Sequence, residues 1–325
     1  MTIVFILISL ILTPSLYSLW RDMQTRQPIK RTDHTPMIED ELLDLSLPDK
    51  SKKNPIYEGD ILDELSRTSL HILFGVMSGG GKSTSMKVII WKIHQRDRAA
   101  RFYIVDPKTT DWLGLQMFRN TVTYLSGDVL DQLLQLRDVT EQIFETLDDR
   151  ISKGQKILKN GGQLDAPGHH IYLIIDEWYA LYDALQKFPA KLKAEYGLTA
   201  ILSHINTIIA KGREHNVHIF LVSQSHLSGE TGISTAMRRS MALIGQGRLT
   251  EDGDGGYASI EGIIKDANVF KDSNRRNQLM QRLKDAIALN EANAPIILTT
   301  MGNPRLGLLS DLSHIHTYKI EDYLK

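Results

Sequence analysis

Six residues, Gly79-Gly80-Gly81-Lys82-Ser83-Thr84, set three glycines, an amine and two hydroxyls in the order that phosphate chemistry needs. Glycines let a turning backbone aim its N–H groups at an anion and approach it closely, and a helix that starts at the lysine adds partial positive charge from its amino end. With Ser78 these residues form a candidate nucleotide cradle. In it Lys82 reaches the β- and γ-phosphates of ATP, Ser83 gives its hydroxyl to Mg²⁺, and Thr84 sits near the α-phosphate. One position departs from the usual spacing. Counting back from Lys82, the place of the first glycine is held by Val76, with Gly75 one residue early.

Two carboxylates, Asp176 and Glu177, follow the apolar run Ile171-Tyr-Leu-Ile-Ile175. Cleavage of a γ-phosphate needs a water whose proton is drawn off and a cation that offsets developing charge. Glu177 is the candidate that polarises the water. Asp176 is the candidate that holds a Mg²⁺-bound water, which makes Ser83 and Asp176 the expected metal set. Gln224 ends a further apolar run, Val217 to Ser223, and can sense the γ-phosphate or orient water. The expected catalytic group is therefore Lys82, Asp176, Glu177 and Gln224. A third polar terminus is Asp106-Pro107-Lys108, after Arg101-Phe-Tyr-Ile-Val105. Each of these ends, taken singly, equally suits a strand leaving the core for solvent; the phosphate loop upstream is what joins them into chemistry.

To bring such residues together, the runs at 70–74, 101–105, 171–175 and 217–222 must be strands of one sheet. Their hydrophobicity is continuous, not alternating, as expected for strands covered on both faces in a parallel sheet. In open α/β sheets the carboxyl ends of the strands form the binding crevice. An amphipathic helix is expected over Met86 to His94, directly behind the loop. The fold class is thus α/β with a mostly parallel sheet.

These segments together resemble the FtsK/HerA-type P-loop motor ATPases, the group that contains DNA translocases and the coupling ATPases of conjugation. The matching features are the phosphate loop, Asp106-Pro107-Lys108, Ile174-Ile175-Asp176-Glu177, and Ala210-Lys211-Gly212-Arg213-Glu214-His215-Asn216-Val217-His218-Ile219 leading into Ser223-Gln224. The resemblance covers residues 68–310. It implies a RecA-like core that assembles as a ring, usually a hexamer, with ATP between subunits. It also implies an arginine reaching each site from the neighbouring subunit. Arg213, Arg238, Arg239 and Arg248 are candidates, and the resemblance does not single one out. Arg238-Arg239 and Arg248 flank the expected strand Ser240 to Gly245, which would end near the site.

The chain has 325 residues, 42% apolar and 24% charged, with no cysteine. That composition excludes a disordered chain, a disulfide framework and any cysteine nucleophile or thiolate metal site. With 38 Lys+Arg against 39 Asp+Glu, the formal charge of −1 gives no global field for nucleic acid. Contact with DNA must then come from a local patch. Leu227 to Arg239 reads as a loop able to face a pore or plain solvent. A basic stretch with Lys265, Lys271, Arg275, Arg276, Arg282 and Lys284 lies on a helix expected from near Ser273, and equally suits a solvated face. Residues 294–309 suggest two short strands around a tight turn.

Thr2 to Trp20 carries no charge, and as a helix it would span about 28 Å, close to a bilayer's hydrocarbon thickness. Arg21, Arg26, Lys30 and Arg31 follow it and no Lys or Arg precedes it, which places the carboxyl-terminal bulk in the cytoplasm. A secretory signal peptide is the rival reading. The expected organisation is a transmembrane anchor over 1–22 in the cell membrane, a proline-bearing linker over 23–55, and an ATPase domain over 56–325. The expected function is a membrane-tethered, ATP-hydrolysing motor that moves DNA through a homo-oligomeric ring. The alternative is a membrane-bound, ATP-dependent scaffold or secretion-associated ATPase that threads no DNA.

Overall fold

The structure, a computed structural model, describes residues 55–68, 70–109, 112, 120–162, 168–249 and 256–309. The expected anchor over 1–22 lies outside the described residues, as does the linker save Pro55. Among the described residues no helix is long and apolar enough to cross a membrane.

In chain order the first half runs α1 (Ile61–Arg67), β1 (His71–Gly75), α2 (Lys82–Arg96), β2 (Arg101–Asp106), β3 (Asn120–Tyr124), α3 (Val129–Lys159) and β4 (Ile171–Ile175). Then come α4 (Trp178–Lys187), α5 (Ala190–Glu195), α6 (Ala200–Lys211), β5 (Val217–Ser223), α7 (Ser228–Thr231), α8 (Thr235–Arg238) and β6 (Met241–Gly247). The last described elements are α9 (Ala258–Lys265), α10 (Ser273–Leu289), β7 (Ile296–Thr299) and β8 (Arg305–Leu308).

The strands form one sheet of eight in the order β3-β2-β4-β5-β1-β6-β7-β8. All pairings from β3 across to β6 are parallel, while β7 and β8 are antiparallel additions at one edge, the two short strands expected near the chain's end. Every residue of β1, β4, β5 and β6 is buried, which explains their unbroken apolar runs.

Period-two alternation divides the core between the two faces. Ile72 and Phe74 of β1 join Met86, Ile89, Ile90 and Ile93 of α2 on one side. Leu73 joins Leu173, Ile175 and the apolar stripes of α3 and α6 on the other. Along α3, Leu133, Leu136, Thr140, Ile143 and Leu147 are buried at spacings of three and four, and Asp128 with Asp131 forms a capping box at its start. A third cluster packs α9 and α10 on the β7–β8 hairpin.

The turn from α6 into β5 shows why the Lys211-Gly212-Arg213 sequence matters. A Cβ at Gly212 would lie 2.3 Å from the Val217 carbonyl oxygen and 2.5 Å from that of Ile208, so only glycine fits. Arg213–His215 then make one 3₁₀ turn, and Asn216 adopts φ 55° before β5 begins. One expectation needs correction: residues 227–239 are not a plain loop. They hold α7 and α8, tied down where Trp178 Nε1 donates to the Thr231 carbonyl (2.8 Å) and where Arg238 pairs with Asp266 (3.2 Å).

Candidate functional site

β5 lies between β1 and β4, so the phosphate loop, Gln224 and the acidic pair leave adjacent parallel strands at their carboxyl ends. The loop is locked to its neighbour where Val76 N–H donates to the Ser223 carbonyl (2.9 Å). Gly79 and Gly81 have φ 77° and 81°, conformations that side chains resist. Val76, in the place of the usual first glycine, is fully buried in the core cluster under the loop and does not line the cradle. Its side chain in turn fixes the residue above it, because a Cβ at Gly80 would meet Val76 Cγ1 at 2.6 Å. The helix α2 starts at Lys82, with Gly81 as its cap and no side chain occupying the amino end. Ser78 and Gly79 are exposed, and Ser83 and Thr84 are half-buried. A cradle of this shape, with a helix of fifteen residues behind it, fits a nucleotide's phosphates.

Lys82 is 5% exposed and its Nζ lies 2.8 Å from Glu177 Oε1. Lys108, from the end of β2, reaches the same oxygen at 2.5 Å. Gln224 Nε2 donates to Glu177 Oε2 (3.1 Å). Glu177 is therefore held from three strand ends at once. Burial alone would push its carboxyl up, but the Lys108 and Lys82 ammonium groups outweigh burial and hold it down at about 2. Glu177 also sits at φ 47°, a conformation costing a non-glycine residue about 1–3 kcal/mol that clusters at functional sites.

Asp176 supports that turn. Its Oδ1 accepts from the Glu177 N–H (2.9 Å) and its Oδ2 from Trp112 Nε1 (2.9 Å). Burial raises its carboxyl above the ordinary range, and the two hydrogen bonds only partly oppose this. Asp176 is fully buried. Each oxygen accepts one bond and keeps a further lone pair, so Asp176 suits the expected role of holding a Mg²⁺-bound water, beside the Ser83 hydroxyl, a hard oxygen donor that fits Mg²⁺.

Three contributors were not legible as site residues from sequence. Gln246, buried in β6, donates Nε2 to the Gly80 carbonyl (2.7 Å) and accepts from Ser85 Oγ (2.7 Å), clamping loop and helix to the strand. Ser259 Oγ accepts from the Met77 N–H (3.0 Å). Trp112 orients Asp176 from a distant part of the chain. A polar Gln inside the otherwise apolar 241–247 run was the one available signal.

Of the four candidate arginines for a neighbouring site, three stand at the amino ends of the parallel strands, opposite the phosphate loop. Arg213 precedes β5, and Arg238 and Arg239 precede β6, whose Met241 is in register with His71 at the start of β1. Arg238 is also buried against Asp266. Arg248, just past the end of β6, is the one of the four at the phosphate-loop end.

Neither a protein-family model nor a curated protein matches the sequence. Among solved structures, the pCW3 conjugation coupling protein TcpA, in a monomer form with ATPγS, matches with a TM-score of 0.51 at 17% identity, over 79% of this chain and 66% of that one. The fold is that of the FtsK/HerA-type P-loop ATPases. The cytoplasmic domain of the Thermomonospora curvata type VII secretion ATPase EccC matches at 0.43 and 15% identity, over 74% of this chain and 25% of that one. EssC (ATPases 2 and 3) from Geobacillus thermodenitrificans matches at 0.39 and 14% identity, over 68% and 44%. The chain spans less than two thirds of the length of each of these proteins. At 17% identity the likeness to TcpA is one of fold.

Proposed function

We propose that this chain is an ATP-hydrolysing motor that moves DNA, tethered to the membrane by residues 1–22 and working as a homo-oligomeric ring. The observation that carries the reading is the meeting of Lys82, Lys108 and Gln224 on the Glu177 carboxylate beside a glycine cradle at a helix amino end. The likeness of fold to a conjugation coupling protein supports the choice of DNA as cargo.

The residues divide the work as follows. The loop N–H groups of 78–84 and the Lys82 ammonium bind the phosphates of ATP, and Ser83 offers its hydroxyl to Mg²⁺. Held by Ser83, Mg²⁺ would supply positive charge to offset the negative charge that builds up on the transferred phosphate. Lys82 exchanges Glu177 for phosphate oxygens, which relieves the depression of the Glu177 carboxyl and makes it a better proton acceptor. Glu177 then takes a proton from the attacking water, and Gln224, already hydrogen-bonded to Glu177, orients that water. Asp176 keeps the Glu177 turn in place through the bond to its N–H. Arg248 is the candidate to complete a neighbouring subunit's site.

The reading is tested by ATP turnover of the full chain with and without duplex DNA, over a range of salt. Turnover should rise several-fold with DNA, and the rise should shrink as salt increases. Brisk hydrolysis indifferent to DNA, with no salt-dependent DNA binding, would replace the translocase by the scaffold or secretion-associated ATPase.

A further inference from the structure

At the amino ends of the strands, opposite the phosphate loop, a pocket of about 230 Å³ opens beside the start of β6. Its polar wall is Thr235, Arg238, Arg239, Asn268, Arg275 and Thr300, and no carboxylate lines it. Met241 of β6 is in register with His71, the first residue of β1, whereas the phosphate loop follows Gly75 at the other end of that strand. At roughly 3.3 Å per residue, the length of β6 puts the two places on the order of 20 Å apart. We propose that this pocket is a second anion site that takes a phosphate group.

Charge gives the first argument. Arg238 is offset by Asp266 at 3.2 Å. Arg239 and Arg275 make no ion pair among the described residues, so two of the three guanidinium charges are left for a ligand. A pair of uncompensated positive charges matches the two negative charges of a phosphate monoester, or successive phosphodiesters, better than a single carboxylate.

Donor placement gives the second. Arg238 is 4% exposed and forms a fixed part of the wall. Its Nη1 donates to the His226 carbonyl (2.9 Å) and to Asp266, while Nη2 gives one N–H to Thr235 Oγ1 (3.3 Å) and keeps a second. Arg275 lies over the Phe270 ring at 5.9 Å, a contact that favours a planar, ordered guanidinium, and Phe270 itself lines the pocket. A water occupies about 30 Å³ of liquid, so the space admits a phosphate and part of the group esterified to it.

The phosphate can belong to a nucleic-acid strand or to a small phosphorylated solute, and the same chemistry serves both. The assignment is independent of the hydrolysis reading, because the pocket shares no residue with the nucleotide cradle.

The test uses the full-length chain with a non-hydrolysable ATP analogue present to fill the phosphate loop. Inorganic phosphate is titrated at constant ionic strength against chloride, and the thermal midpoint is followed. The wild type should be stabilised by phosphate, and the double variant R239Q/R275Q should lose that rise while keeping its midpoint in chloride. R282Q, an exposed arginine of α10 outside the pocket, should keep it. Equal shifts in wild type and double variant, or no shift in either, overturn the proposal. Anisotropy with labelled single-stranded DNA then separates the sources. A tenfold weaker affinity in R239Q/R275Q, with the salt slope reduced by about 1.4 for two lost contacts, assigns the phosphate to a strand. Unchanged DNA binding alongside lost phosphate binding assigns it to a small solute.

Discussion

Glu177 is the residue on which charge, strain and hydrogen bonding converge. Lys82 and Lys108 hold it ionised, with its folded value at about 2 against an ordinary 4.5. A lowered folded value means that the pairs stabilise the nucleotide-free protein above about pH 4.5, and that this contribution is lost as pH falls toward 2. Denaturant unfolding measured between pH 2 and 6 should show this loss, and Lys108→Ala should move it to higher pH, because one of the two ammonium groups has gone. An unmoved acid limb would show that Lys108 does not hold Glu177 in solution. Val76 makes a second residue-scale case. Val76→Gly restores the usual loop spacing but empties a fully buried site, so it should cost about 1.5–3 kcal/mol of stability and bring no gain in nucleotide affinity. Tighter ATP binding by this variant would contradict the core role given to Val76.

At the scale of elements, the site is legible wherever a strand's burial forces an apolar run that ends in polar residues. β1, β4 and β5 are of this kind, and Lys82, Glu177 and Gln224 could be placed from them before any coordinates. β3, with the sequence Asn120-Thr-Val-Thr-Tyr124, was not legible, because as the edge strand beyond β2 it pairs on one side only and carries polar residues. Trp112 escaped for a different reason: its bond to Asp176 crosses 64 positions, and no periodicity encodes such a contact. Arg238 looked like a site arginine because the direction of β6 relative to its flanks is a matter of topology, and its pairing with Asp266 is tertiary. The clamp between β6 and the loop gives the element-scale prediction. Gln246→Leu removes both the Gly80 and the Ser85 bonds, leaving the buried Ser85 hydroxyl without its acceptor, and should lower stability by about 1–3 kcal/mol. Nucleotide affinity should fall several-fold with it; calorimetry that finds both unchanged would remove Gln246 from the support of the cradle.

Across the whole molecule, a formal charge of −1 means that binding to DNA must depend on where charge is placed. The described residues place uncompensated arginines at the amino ends of the strands, so the proposed nucleotide and anion sites lie at opposite ends of the same sheet. The proposed tether belongs to this scale too: if residues 1–22 anchor the protein, their deletion should release it from membranes, and a deleted form that still sediments with them would overturn that part of the proposal. The measurement that bears most directly on the central claim is ATP hydrolysis by the full chain beside its Glu177→Gln variant, with nucleotide binding followed in both. Glu177→Gln should bind ATP with its affinity retained and lose turnover by about 10²–10⁴-fold, the range for removing a positioned general base; turnover equal to that of the wild type would contradict the account.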